Sequence, residues 1–250
     1  MIGVIAAREW RALFLSPLAW SLLAVTQAVL AWIFIILVND FQQMEGQLSG
    51  LDPAPGVTDL VLAPLFRVTA WALLLLTPLL TMRLFSEEQR TGTLDLLLSA
   101  PVGIHQIVLG KYLGTFGFLL SVIALMALMP LALLVGAALD LGKLSAGLVG
   151  LGLFAASFAA AGLYFSSLTA QPLTAAAATF GVLLAFWLVD AVGGGQGAAS
   201  PWLTYLSLAR HYDALQLGLV RSEDLAYYLL FSAAFVGLTI RRLDNLRLRG

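Results

Sequence analysis

Six long apolar runs separated by short polar stretches organise the chain. The run over 18–38 carries no charge and is about long enough to cross a hydrocarbon core of ~30 Å. Similar runs over 62–82, 113–139, 146–168, 173–192 and 225–240 predict five more spanning helices. Ahead of them, 1–16 mixes Arg8, Glu9 and Arg11 with Ile2, Val4, Ile5, Trp10, Leu13 and Phe14, the pattern of an amphipathic helix lying at an interface. Ser16 and Pro17 then mark a break and a new helix start. The apolar run that follows is too long for a cleaved signal peptide.

The polar stretches differ from one another. The loop over 39–59 is broken by Gly46, Gly50, Pro53, Pro55 and Gly56 and holds acids but no basic residue. The segment 83–111 is the longest charged stretch between two spans. Its first part, 83–98, is rich in helix formers and predicts one short helix, with Leu84, Phe85, Leu94, Leu97 and Leu98 on a shared face. Ser99, Ala100 and Pro101 stop it, because proline disfavours helical geometry in the residue before it. A second helix starts at Ile104, with Gly103 as its N-cap. The result is a helix, a sharp turn and a helix, with acids near the membrane exit and leucines before the turn.

The turns at 140–143 and 169–172 are short and predict antiparallel neighbours. From 193 to 224 hydropathy is mixed. A glycine-rich exit at Gly193, Gly194, Gly195 and Gly197 leads into a moderately apolar stretch interrupted by Arg210, His211 and Asp213. Too polar to span and too apolar for a free loop, it predicts an interfacial or re-entrant hairpin.

Composition agrees with this pattern: 60% hydrophobic residues, 11% charged and a mean hydropathy of +0.94 describe an all-α integral membrane protein. Orientation follows from basic residues. With both termini inside, Arg8, Arg11, Arg83, Arg90, Lys111, Arg241, Arg242, Arg247 and Arg249 are cytoplasmic, against Arg67, Lys143, Arg210 and Arg221 outside. Near-zero net charge argues against a nucleic-acid partner. The absence of cysteine rules out disulfides and thiolate metal sites. His105 and His211 fall on opposite membrane sides and cannot share a metal.

Single residues add detail. Arg67 is an intramembrane charge near the outer end of the second span, either functional or snorkelling to the headgroups. Pro78 predicts a kink close to the charged segment. The fourth span is packed with small residues, among them Gly147, Gly150, Ala155, Ala159 and Gly162, a surface for close packing within the subunit or between two copies. Asp190 lies near the outer end of the fifth. His211 reads either as a substrate contact or as a structural side chain. No phosphate loop of the G-x-x-x-x-G-K-[ST] type and no hydrolase constellation is present, so if ATP drives this chain the ATPase is another protein.

One stretch carries a family likeness. MRLFSEEQRTGTLDLLLSAPVGIHQIVLGKYLG resembles the signature of ABC-2 type permeases, especially the gliding-motility and nitrous-oxide-reductase-maturation groups, through Glu88, Gly92, Thr93, Leu94, Asp95, Leu97, Leu98, Pro101, Gly110, Lys111 and Tyr112. A weaker likeness covers 208–229, where His211 and Tyr212 stand in the family's histidine-aromatic stretch. The resemblance implies a type V-like ABC-2 exporter fold: six transmembrane helices, an N-terminal amphipathic helix, a cytoplasmic coupling helix-turn-helix and an outer re-entrant hairpin. It implies a non-catalytic permease in the bacterial cytoplasmic (inner) membrane, with a second copy of itself on two ABC ATPase subunits. ATP and Mg are then bound by the ATPase, and no cofactor by this chain. In that picture Glu87, Glu88 and Arg90 give polar contacts to the ATPase and Gly92 and Thr93 shape the surface. Leu94, Leu97 and Leu98 dock it, and Pro101 fixes the turn. Arg210, His211 and Asp213 are candidates for contacting a substrate or an accessory external protein. A second reading keeps the ATPase but makes the chain a mechanical anchor that passes motion to an external partner.

Overall fold

The structure, a computed structural model, describes residues 1–48, 56–99, 101–135, 139–193, 205–216 and 218–248, and all of its regular elements there are helical. The expectations for the glycine-rich exit after Gly193 and for the side chain of Asp190 fall outside the described residues. Helix α1 covers Ile2–Leu15 and α2 Pro17–Leu48. A π-helical turn, Thr58–Leu62, leads into α3, Ala63–Thr81. Two short helices follow, α4 at Ser86–Arg90 and α5 at Leu94–Ser99. Then come α6 at Ile104–Ala132, α7 at Leu141–Leu168 and α8 at Pro172–Gly193. The short α9, Leu208–Gln216, and α10, Ser222–Arg247, complete the chain. Six of these segments are long and apolar enough to cross a membrane.

Two boundaries differ from the sequence expectation for a physical reason. Helix α2 continues to Leu48, because Phe41, Gln42, Gln43 and Met44 contain no helix breaker. The segment 83–98 is two helices and not one: Gly92 has φ +69°, a left-handed conformation open to glycine and costly for other residues. The break turns α5 away from the line of α4.

Helix α7 is the centre of the bundle, and its small residues make this possible. A Cβ on Gly147 would enter the Phe66 ring of α3, and one on Gly162 would collide with the Thr81 side chain at the other end of α3. At Gly150 the close neighbours are Tyr212 and Leu215 of α9. The small face therefore packs against elements of its own subunit, where backbones approach closely. Inter-helix polar contacts supplement packing: the Ser157 hydroxyl lies 3.3 Å from that of Ser232 on α10, and Gln27 of α2 donates to the Val122 carbonyl of α6 at 2.9 Å. Helix α2 is the least buried of the six, presenting Trp20, Val25, Trp32, Ile35 and Ile36 outward.

Helix α1 lies along the start of α6, over Gly110 and Gly114. A Cβ at Gly114 would stand 2.7 Å from that of Glu9 and 2.9 Å from the Ala6 carbonyl oxygen, and one at Gly110 would run into Ile5. The two glycines of the GKYLG run are thus the seat of α1. Gly162→Leu should lower thermal stability in detergent by about 1–3 kcal/mol, the usual cost of overpacking. Gly237→Ala, where an added carbon meets nothing within 4 Å, should leave it equal or slightly higher in the same melting experiment.

Candidate coupling site and the opposite rim

The charged segment is fastened to the bundle by three sets of contacts. The first is apolar. Leu84, Phe85, Leu94 and Leu98 are buried in a cluster with Ile104, Ile107 and Val108 of α6, Ala160 and Leu163 of α7, and Val236 and Leu243 of α10. Leu94 and Leu98, expected from sequence to dock a partner, face their own chain because the Gly92 turn rolls α5 inward. Leu97 is half-buried against the same cluster, and Leu96, 71% exposed, is the leucine that points outward.

The second set is a backbone clasp. The Ser166 hydroxyl at the end of α7 accepts from the backbone N–H groups of Phe85 at 2.9 Å and Ser86 at 3.2 Å, and donates to the Met82 carbonyl at 3.1 Å. It satisfies donors left open at the start of α4, where no intrahelical partner exists. Ser86 also donates to the Met82 carbonyl, and the Gln89 amide donates to the Ser167 carbonyl at 2.8 Å.

The third set is ionic. Lys111, only 4% exposed, donates to the Leu84 carbonyl at 2.8 Å, to Glu88 Oε1 at 2.8 Å and to Glu9 Oε1 at 3.4 Å. An ammonium has three donors, and all three are used. Its charge also sits 5.1 Å from the centroid of the Phe85 ring. Glu88, expected to contact an ATPase, is here an internal partner that joins α4 to α6, and Glu9 adds α1 to the same point. Glu9, Lys111 and Ser166 escaped the sequence reading as site residues. A lysine two turns into an apolar helix beside two seat glycines was the available signal, since a buried lysine demands a partner.

On the surface remain Glu87, Arg90, Gly92, Thr93, Leu96 and Pro101, together with Arg83, Thr91, Asp95 and Ser99. The Thr91 and Thr93 hydroxyls, 2.9 Å apart, brace the turn at Gly92. Beside α4, Arg83, Glu87, Arg90, Pro172 and the 78% exposed Leu173 border a groove of about 350 Å³.

Six membrane-length helices and a short helical elbow held at one end of them are the architecture, and residues 4–244 match the family description ABC-2 family transporter protein. The chain belongs to the ABC-2 transporter family. As an ABC-2 chain it is a membrane subunit of an ABC transporter, and the family works with an ABC ATPase partner. No curated protein matches it.

At the opposite end of the ABC-2 bundle the expected residues take separate tasks. Arg67 is neither alone nor simply reaching for headgroups: its guanidinium pairs with Asp213 of α9 at 3.0 Å. Arg210 is exposed. His211 is buried, stacked on the Tyr227 ring at 4.2 Å, with Nδ1 2.5 Å from Asp224 Oδ1 and Nε2 3.0 Å from the Tyr205 carbonyl. A carbonyl only accepts, so Nε2 is the nitrogen that donates to Tyr205, and Nδ1 faces the Asp224 carboxylate. His211 is therefore a clasp between α9 and α10. Tyr212 donates to the Phe66 carbonyl at 3.3 Å and Tyr228 to the Leu208 carbonyl at 2.8 Å; burial holds the Tyr212 phenol far above its ordinary pKa. Lys143 and Asp59 pair at 2.6 Å on the same rim. His105 stands at the other end of the bundle, on the first turn of α6.

Lys111→Met should cost about 3 kcal/mol, the lower part of the range for removing one partner from a buried ion pair, because both carboxylates keep some exposure. Adding Glu88→Gln should recover part of the loss, and thermal melts of the single and double variants in one detergent measure both.

Proposed function

We propose that this chain is the permease of an ATP-driven exporter and that the elbow formed by α4 and α5 is where its ATPase pushes. The observation that carries the reading is the division of that elbow into two faces. One is bound to α1, α6, α7 and α10 by the leucine cluster, Ser166 and Lys111; the other presents Glu87, Arg90, Thr93 and Leu96 to solvent beside the groove at Leu173. An element gripped on one side and free on the other passes displacement from a partner into the helices it grips. Work is transferred only where that contact differs between two ATPase states.

In this reading both termini and the elbow are cytoplasmic, in keeping with the basic residues gathered there, and the membrane is the bacterial inner membrane. Two copies act on two ATPase subunits, with ATP and Mg bound by the ATPase. The outward apolar face of α2 offers a surface for the second copy. The transported cargo is left open by the residues themselves. The anchor reading, in which ATPase motion is relayed to an external protein without cargo, keeps one supporting observation: α9 is clasped to both α3 and α10 at the outer rim.

The test uses residues that hold nothing else in place. Arg90→Glu with Leu96→Asp should lower stimulation of a copurified ATPase by about tenfold, within the usual range of coupling free energies. Melting temperature and membrane insertion should stay unchanged. Full stimulation by this double variant would defeat the assignment of the elbow.

A further inference from the structure

Where α1 meets the ends of α2 and α3, a cleft of about 350 Å³ opens, within the range of roughly 300–1,000 Å³ typical of small-ligand sites. Its two halves differ in chemistry. Leu13, Leu18, Ala19, Leu79 and Leu80 form an apolar half. The other half carries three bases, Arg8, Arg83 and Lys111, and three acids, Glu9, Glu87 and Glu88. The formal charge of the lining is therefore zero, but the charges are not all spent on one another. Lys111 is taken up by Glu88 and Glu9, which leaves that trio with a net negative charge. The side chains of Arg8, Arg83 and Glu87 have no ion-pair partner among the described residues.

Two guanidiniums with unfilled donor forks suit a phosphate, which they can bind through paired N–H groups. Glu87 and the negative trio beside them suit a cation on the same ligand. A ligand of one sign alone would leave half of these charges unanswered. The cation is of the N–H bearing kind, since no aromatic ring lines the cleft to hold a quaternary ammonium. The depth in the membrane agrees, because Trp10 on α1 and Trp20 on the first turns of α2 flank the same end of the bundle, both partly exposed as in an interfacial aromatic belt. We infer that this cleft binds the headgroup of a phosphatidylethanolamine-type phospholipid, with phosphate on Arg8 and Arg83, ammonium toward Glu87 and Glu88, and the start of the acyl chains along Leu13 and Leu79. The cleft shares Glu87, Glu88 and Lys111 with the elbow, and it is tested without an ATPase so that its failure and the failure of the coupling assignment are read apart.

The purified full-length chain is exchanged into an equimolar mixture of phosphatidylethanolamine, phosphatidylcholine and phosphatidylglycerol with identical acyl chains. Lipids retained after detergent washing are then counted by native mass spectrometry. One phosphatidylethanolamine should remain per chain, preferred about tenfold over either competitor, the ratio that one charge-assisted hydrogen bond supports. Arg8→Gln with Arg83→Gln should abolish the preference. Equal retention of phosphatidylcholine would overturn the ammonium contact, and retention of phosphatidylglycerol at the same level or higher would overturn the zwitterion. A preference that survives in the double variant would place the lipid elsewhere and overturn the site.

Discussion

The buried ammonium of Lys111 is the constraint around which one end of this molecule is arranged. A lysine head group inside protein is tolerated only when its donors are all used and its charge is answered. Here the answers come from three different segments: the Leu84 carbonyl before α4, the Glu88 carboxylate within it, and Glu9 on α1. None of these is near Lys111 in sequence, so meeting its demand fixes the amphipathic helix, the elbow and the third spanning helix relative to one another. The glycines at 110 and 114 make the approach possible by removing side chains from the surface on which α1 rests. Hydrophobic association alone would not choose this register, since lipid is as apolar as the helix faces.

This arrangement explains how an elbow made of such short helices keeps its shape. A five-residue helix and a six-residue helix have little stability of their own. Theirs comes from attachment: Ser166 closes the start of α4, and Leu94 and Leu98 seat α5 against three spanning helices. The attachments of α4 therefore run directly to α6 and α7. Helix α7, the helix with most neighbours, in turn packs against α3, α8 and α10.

Much of this was legible in the residues. The six apolar runs, the amphipathic start and the proline after the elbow are local signals, and hydropathy reads them directly. The family likeness reached the elbow because its motif, from Glu88 to Pro101, is contiguous. What escaped was pairing at a distance. Glu9 and Lys111 lie in different helices, as do Arg67 and Asp213, and no periodicity connects them. The inward roll of Leu94 and Leu98 was hidden for a related reason: the helical face expected over 83–98 assumed continuity through Gly92, and the left-handed backbone there resets which side each leucine faces. The motif marked the residues of the elbow but not the direction in which they face.

The rim opposite the elbow follows the same logic with a different result. Helix α9 is tied to α3 through Arg67–Asp213 and the Tyr212 hydroxyl, and to α10 through His211–Asp224 and the Tyr228 hydroxyl. Those two helices also reach the elbow, α3 through the turn that precedes α4 and α10 through Val236 and Leu243 in the apolar cluster. Helix α9 is therefore joined to the elbow along two helices at once. If they move together α9 rides with them, and if they move apart one of its clasps must yield. The exposed Arg67–Asp213 pair is the weaker of the two, because water competes for both of its charges, whereas the His211–Asp224 pair is shielded on both sides. Separation of the two helices would thus open α9 on its α3 side and leave it attached to α10.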